Sequence, residues 1–363
     1  MMNLTYSRFC ILTSLVLFGN LFSSKAQVTL NADGPGNTYE LINSVFAPGY
    51  NVVEDPECVH SSFGRHIAEV YDTELSKNVF EFYIHVTPDN DRCINFDRQR
   101  VEIKTYNASP DNLKATLGET VTYKWRFKIP VGFQPSSNFT HIHQVKAVGG
   151  DDGNPIFTLT LRKGSPNKLE LIYVKDDFSG TTKYANLNLS LFEGIWVEAT
   201  ETIKIAASGT YDITIKRVDN GVTLLNYSNS NIATIRLGTV DNSFIRPKWG
   251  IYRSLLNEAS LRDDSIRFSD FSITEGTLST EEFPSNNEDI VLFPNPVDDN
   301  LEISEEIRNN YDSIRIFNTN GKLILSQQLS TSNLNLSHLS PGLYFVKFTS
   351  NGLESKAVKL LKK

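Results

Sequence analysis

The chain has 363 residues, of which 40% are hydrophobic and 21% charged, with a formal net charge of -7. That length allows a large core, and the balance is that of a folded globular protein, not a disordered one. A net negative charge excludes bulk attraction to nucleic acid or an anionic membrane, so an anionic ligand would have to meet a local basic groove.

In chain order, Arg8 supplies a positive charge, Phe9 to Phe22 an apolar core, and Ser24 to Ala26 a small-residue cleavage site. This is the pattern of a signal peptide over residues 1–26. The apolar run is too short and too interrupted for a membrane span. The mature chain is expected to begin near Gln27, outside the cytoplasm, as a monomer with no membrane span. Cys10 leaves with the signal, so Cys58 and Cys93 remain in an oxidising compartment. Two thiols there favour a disulfide over two separate buried cysteines.

Residues 27–276 read as one all-β domain. Asp33 and Glu40 lie in the first strand region, and Asp270 interrupts the alternation of Ser265–Ile273. Such oxygen ligands suit a structural calcium ion that clamps terminal strands, the alternative being loop carboxylates and a bulge. Val79 to Val86 turns Phe80, Phe82, Ile84 and Val86 inward, and Thr120–Ile129 does the same with Val121, Tyr123, Trp125, Phe127 and Ile129. Further strands are predicted at Val101–Tyr106, Ile156–Leu161, Leu169–Val174, Tyr211–Val218, Lys248–Tyr252 and Ile266–Ile273. Period-two alternation means one buried and one solvated face, and many such strands give a two-sheet antiparallel sandwich or jelly roll. No long amphipathic helix, zinc-type Cys/His cluster at ligand spacing or nucleotide fingerprint is legible.

Three strand segments carry polar groups that a core does not need. In Arg98 to Tyr106, Arg100, Glu102 and Lys104 share the face opposite Val101 and Ile103. In Thr140 to Val148, alternation groups Ile142, Gln144 and Lys146 on one face and His141, His143 and Val145 on the other. In Arg246 to Ser254, Lys248, Gly250 and Tyr252 share a face, and Gly250 leaves room for close approach between two polar side chains.

Residues 277–289 are polar, acidic and aperiodic, the character of a linker. The tail, 290–363, carries LFPNPVDDNLEI from Leu292, IRIFNTNGKLI from Ile314 and LSPGLYFVKF from Leu339. Asn320-Gly321 and Pro341-Gly342 mark turns, so a small β-sandwich is expected. The three motifs in order resemble the C-terminal sorting domain of the type IX secretion system of Bacteroidetes. That resemblance implies an export address read by the secretion machinery, with the chemistry upstream.

The three polar strands resemble the alginate lyase-like jelly rolls, whose cleft strands carry R-x-E-x-R, Q-I-H and K-x-G-x-Y. The matches are Arg100-Glu102-Lys104, Gln144-Val145-Lys146 and Lys248-Gly250-Tyr252, with Lys104 in place of an arginine and Lys146 in place of the histidine. The wider run from Asp33–Ile42 through these strands is similar to the ulvan lyases of polysaccharide lyase family 28. The resemblance implies β-elimination on a uronate polymer, ulvan first, with alginate and glucuronan as alternatives.

β-Elimination needs a carboxylate clamp, a base for C5 and an acid for O4. Gln144 and Arg100 suit the clamp, with Glu102, Lys248 and Arg253 around it. Lys146 is assigned as base and Tyr252 as acid; in a weaker version Tyr252 does both and Lys146 neutralises charge. His143 is the reserve base if the strand face is reversed. No cofactor is required for this chemistry. A glycoside hydrolase would need paired carboxylates, for which Glu69 and Asp72 are the nearest pair. A non-catalytic carbohydrate-binding jelly roll would favour exposed aromatic platforms.

Overall fold

Val121, Tyr123, Trp125 and Phe127 are buried, while the Thr, Lys and Arg residues between them are not. One strand thus shows how the architecture arises: an apolar face closes on a second sheet and a polar face meets water. The computed structural model describes residues 27–236, 238, 243–276, 290–319, 322–350, 353–355 and 357–363. The expected signal peptide, the linker at 277–289 and the Asn320-Gly321 turn lie outside the described residues. The chain divides into two compact units, Met1–Leu278 and Ser279–Lys363.

The first unit opens with β1 (Gln27–Leu30), helix α1 (Thr38–Phe46), β2 (Val53–Glu54), β3 (Ile67–Asp72), β4 (Lys77–Ile84) and β5 (Arg98–Lys104). It continues with β6 (Ala115–Thr116), β7 (Thr120–Lys128), β8 (Thr140–Val148), β9 (Phe157–Arg162), β10 (Lys168–Val174) and β11 (Thr181–Asn188). β12 (Trp196–Lys204), β13 (Gly209–Arg217), β14 (Thr223–Ile232), β15 (Phe244–Ser254) and β16 (Asp264–Gly276) complete it. The first sheet runs β14-β13-β12-β7-β16-β4-β3, with β1 added to β16. The second runs β11-β10-β9-β8-β15-β5-β2, with β6 added to β15. Neighbours are antiparallel, and the unit is a two-sheet jelly-roll sandwich, as the alternation predicts.

Aromatic rings hold the sheets face to face. Trp249 of β15 lies 6.0 Å from both Tyr123 and Trp125 of β7 and 5.0 Å from Phe271 of β16. Phe157 of β9 stacks on Tyr211 of β13 at 3.6 Å. A buried ring removing ~200 Å² from water contributes roughly 5 kcal/mol. A surface ion pair gives about 0–1 kcal/mol, so the rings set the sheet spacing.

The strands that alternation does not flag have local reasons. β12 carries Glu201 at an inward position, where it accepts hydrogen bonds from His143 Nε2 at 2.8 Å and the Tyr211 hydroxyl at 2.7 Å. β11 and β14 are polar edge strands, and Tyr184 and Tyr227 stack between them at 4.3 Å. β4 ends at Ile84, so Val86 belongs to the following loop, where its N–H meets Asp263.

The second unit has its own core, including Ile314, Ile316, Val346, Phe348 and Leu360. β17 (Asn300–Glu302), helix α2 (Glu305–Asn310), β18 (Ser313–Asn318), β19 (Leu323–Gln328) and β20 (Asn333–Asn335) are followed by β21 (Gly342–Ser350), β22 (Leu353–Glu354) and β23 (Val358–Lys362). β19-β18-β21-β22 form one sheet with β23 on β21, while β17 pairs with β20. Ser304 caps α2 by accepting the Ile307 N–H. Among the described residues, no helix is long and apolar enough to cross a membrane.

Candidate active site

Strand register decides which side chains meet. Arg246 lies opposite Lys146, Lys248 opposite both Gln144 and Lys104, Gly250 opposite Glu102, and Tyr252 opposite both Arg100 and His141. Directly opposed residues share a face. The face of the second sheet turned from the core therefore gathers Arg100, Glu102, Gln144, Lys146, Lys248 and Tyr252.

The register also moves two predicted residues. β8 is irregular against both neighbours between His141 and His143. A bulge lets two successive side chains point the same way. Ile142 and His143 are both buried in the core, and His141 joins Gln144 and Lys146 on the open face. His143 is thereby removed from any substrate: its Nε2 bonds Glu201 and its Nδ1 lies 3.1 Å from the Lys248 carbonyl. Arg253 is likewise a core residue, donating to Gln99 Oε1 from Nε and Nη2 and to the Arg262 carbonyl from Nη1. Its neighbours on β15 alternate around it, so it points opposite to Tyr252. Burial pushes its guanidinium down to about 10.

Beneath the open face lies a charged network. Glu102, fully buried, receives Lys248 Nζ and Arg100 Nη1, each at 2.9 Å, and the Gln144 side-chain amide. Glu54 of β2, which sequence reasoning did not single out, receives Lys248 at 2.5 Å, Lys104 at 2.6 Å, Arg92 at 2.7 Å and Arg100 at 3.1 Å. Asp91 adds a third carboxylate, 2.9 Å from Arg100 Nε. Burial alone would raise the Glu54 carboxyl, but Lys248, Arg100 and Lys104 hold it far below the usual carboxylate range. Gly250, at φ +140°, makes this possible: a Cβ there would stand 2.1 Å from the Val101 carbonyl oxygen. β5 and β15 are pressed together where Glu102 sits.

Lys146 is different. Partly exposed on the open face, it has no hydrogen bond or ion pair among the described residues. Burial lowers its pKa, and Lys248, Arg246 and Arg100 push the same way against Asp152. At the other end, Tyr252 accepts a hydrogen bond from Arg98 Nη1 at 3.0 Å, and the Arg100 guanidinium lies 3.9 Å from its ring centroid. His141 stacks on Phe139 at 4.9 Å and lies 5.9 Å from the Tyr252 ring. Burial, then Arg162, Arg100 and Lys248, push its imidazole down to about 3, so it is neutral at ordinary pH. Only the bulge brings it here, and strict alternation points it the wrong way.

The calcium candidates do not gather. Asp33 is exposed, Glu40 is held by both Arg65 nitrogens, and Asp270 is paired with Lys77 and Arg126. The hydrolase pair is also occupied: Glu69 is buried and accepts the Gly34 N–H, and Asp72 binds Trp196 and Arg267. Cys58 and Cys93 form a disulfide with their Cα atoms 6.3 Å apart.

No curated protein sequence matches the chain. Similar solved structures include the marine PL-14 alginate lyase from Aplysia kurodai, with a TM-score of 0.44 and 14% identity over 68% of this chain and 97% of that one. The endo-beta-1,4-glucuronan lyase from the fungus Trichoderma reesei has a TM-score of 0.41 and 18% identity, covering 57% and 86% of the two chains. An alginate lyase from Pseudomonas aeruginosa has a TM-score of 0.39 and 14% identity, again covering 57% and 86%. The tail, residues 291–363, matches the family described as Secretion system C-terminal sorting domain.

Proposed function

We propose that the jelly-roll unit is a polysaccharide lyase that cleaves a uronate-containing anionic polymer by β-elimination. One observation carries this: Lys146, with no ion pair among the described residues, shares a face with Tyr252 and a neutral His141, in a protein of net charge -7. An uncompensated cation is what a polyanion seeks, and the phenol and imidazole are what proton transfer needs.

Elimination breaks the C5–H and C4–O4 bonds of one sugar and forms a C4–C5 double bond. Tyr252 gives its proton to O4, and Arg98, already donating to the phenol oxygen, faces the charge left there. His141, beside Tyr252, takes the C5 proton. Arg100, over the Tyr252 ring, faces the sugar acid, and Lys146 pairs with an anionic group of a neighbouring sugar. At ~3.3 Å per residue the Lys146 Cα lies roughly 17–20 Å from that of Tyr252, far for a base and an acid serving adjacent atoms of one ring. Lys146 therefore suits holding the polymer beside the cleaved sugar and not the base role the sequence suggests.

Ulvan is the proposed polymer. The resemblance of Asp33–Ile42 and the three polar strands to the sequence pattern of family 28 ulvan lyases supports it, and so does the length of the cationic row. Lys146, Arg246, Lys104 and Arg98 extend past one sugar, suiting a chain that bears sulfate as well as carboxylate. The tail supports export by a type IX secretion system to the cell surface or beyond. The test is to mix the purified body with ulvan, alginate and glucuronan and follow ultraviolet absorbance. A rise on ulvan is expected, because the new double bond is conjugated to a carboxylate. Cleavage without absorbance indicates a hydrolase, and binding without cleavage a carbohydrate-binding module.

A further inference from the structure

In the loops flanking β3 and β4, three histidines and an aspartate converge. His60 follows the β2 strand, His66 precedes β3, and His85 and Asp89 follow β4. One potential ligand atom from each lies within 4.8 Å of all the others. His60 Nδ1 is 2.6 Å and His66 Nε2 3.2 Å from Asp89 Oδ1, and His85 Nδ1 is 3.1 Å from Oδ2. His66 and Asp89 are buried, and His60 and His85 are mostly so.

Hydrogen bonding alone explains the group poorly. All three imidazoles turn a nitrogen on one carboxylate, which also takes the His85 backbone N–H at 2.7 Å. His66 Nδ1 is left buried with no partner. Three aromatic nitrogens around one carboxylate oxygen pair are instead the donor set of a borderline divalent ion. Calcium and magnesium prefer oxygen ligands and would leave the imidazoles unused. Tetrahedral coordination at ~2.0–2.2 Å places ligand atoms roughly 3.4 Å apart, within small side-chain rotations of the present arrangement.

We infer that His60, His66, His85 and Asp89 bind a zinc-class divalent cation in a closed structural site. Four protein ligands leave no open position for a substrate, which separates this site from the lyase chemistry. Its place in the fold suggests what it holds. His60 lies two residues after Cys58, and Asp89 four before Cys93, so ion and disulfide would fasten the same two loops. Those loops lead to Asp91 and Arg92, which contact Arg100 and Glu54 under the cationic face.

The test uses the full chain, stripped with a chelator, checked for native circular dichroism, and titrated with Zn²⁺ alone. One equivalent is expected to bind, and Co²⁺ in its place is expected to give the visible spectrum of tetrahedral cobalt. His66→Asn, His85→Asn and Asp89→Asn should each weaken Zn²⁺ by more than the ~100-fold seen when an outer-shell partner is lost. A folded wild-type protein that binds no Zn²⁺, or native-like variants that bind it as wild type does, overturns the site. Where a variant fails to fold, zinc X-ray absorption on the wild type decides. Imidazole scattering supports the assignment, and sulfur or purely oxygen coordination refutes it.

Discussion

His141 and Tyr252 stand directly opposite each other on neighbouring strands, their ring centroids 5.9 Å apart. This pairing exists because Ile142 and His143 both turn into the core, and it puts a neutral nitrogen base beside a phenol. Replacing His141 with Asn should lower kcat on ulvan by roughly 10²–10⁴, the usual share of a general base, with polymer binding changed only a few-fold. Full kcat in that variant would show that another group takes the C5 proton, and Tyr252 serving as both base and acid would be next in line.

Tyr252→Phe keeps the ring under Arg100 and removes only the hydroxyl that Arg98 contacts. Turnover should fall to background while polymer retention in an affinity gel persists. Substantial turnover would take the phenol out of the proton transfer.

Lys146 should govern binding more than chemistry. Lys146→Ala is expected to weaken ulvan binding about tenfold, near 1.4 kcal/mol. The pH sign follows from the lowered pKa: the ammonium is charged below it and neutral above it. Wild-type binding should therefore weaken as pH rises, at a lower pH than an exposed lysine would require. Lys146→Arg should bind without that alkaline loss, since guanidinium stays charged. A Lys146→Arg profile that tracks the wild type would assign the titration elsewhere.

Glu102 and His143 are predicted to matter to the fold through different partners. Glu102→Gln leaves Lys248 and Arg100 short of a buried counter-charge, a loss of about 3–5 kcal/mol in urea unfolding. His143→Gln leaves Glu201 less well satisfied, at about 1–3 kcal/mol, yet kcat per folded molecule should stay near wild type. A kcat collapse in folded His143→Gln would contradict its placement in the core.

Much of this was legible beforehand. The alternation of Thr120–Ile129 and the polar faces of the three site strands follow from the two-residue period of a strand, and six of the predicted site residues share one face. What was not legible involves departures from that period or pairings across long separations. The bulge at Ile142 exchanges the roles of His141 and His143, and no residue type there announces it. Glu54 belongs to a two-residue strand too short to carry a pattern. His60, His66, His85 and Asp89 come from separate loops, so their convergence has no signature in spacing. Arg253 looks like one more basic residue until its bonds to Gln99 place it inside.

That Lys146 has no ion pair among the described residues divides this surface into two kinds of position. Arg100 and Lys248 are anchored to buried acids, so altering them disturbs the scaffold itself. Among the described residues Lys146 is bonded to none, and neighbouring Arg246 holds the Thr105 carbonyl. Evolution or engineering can therefore retune which polymer is accepted at those two places with little damage to the foundation, and variants selected on a new uronate polymer should change there first.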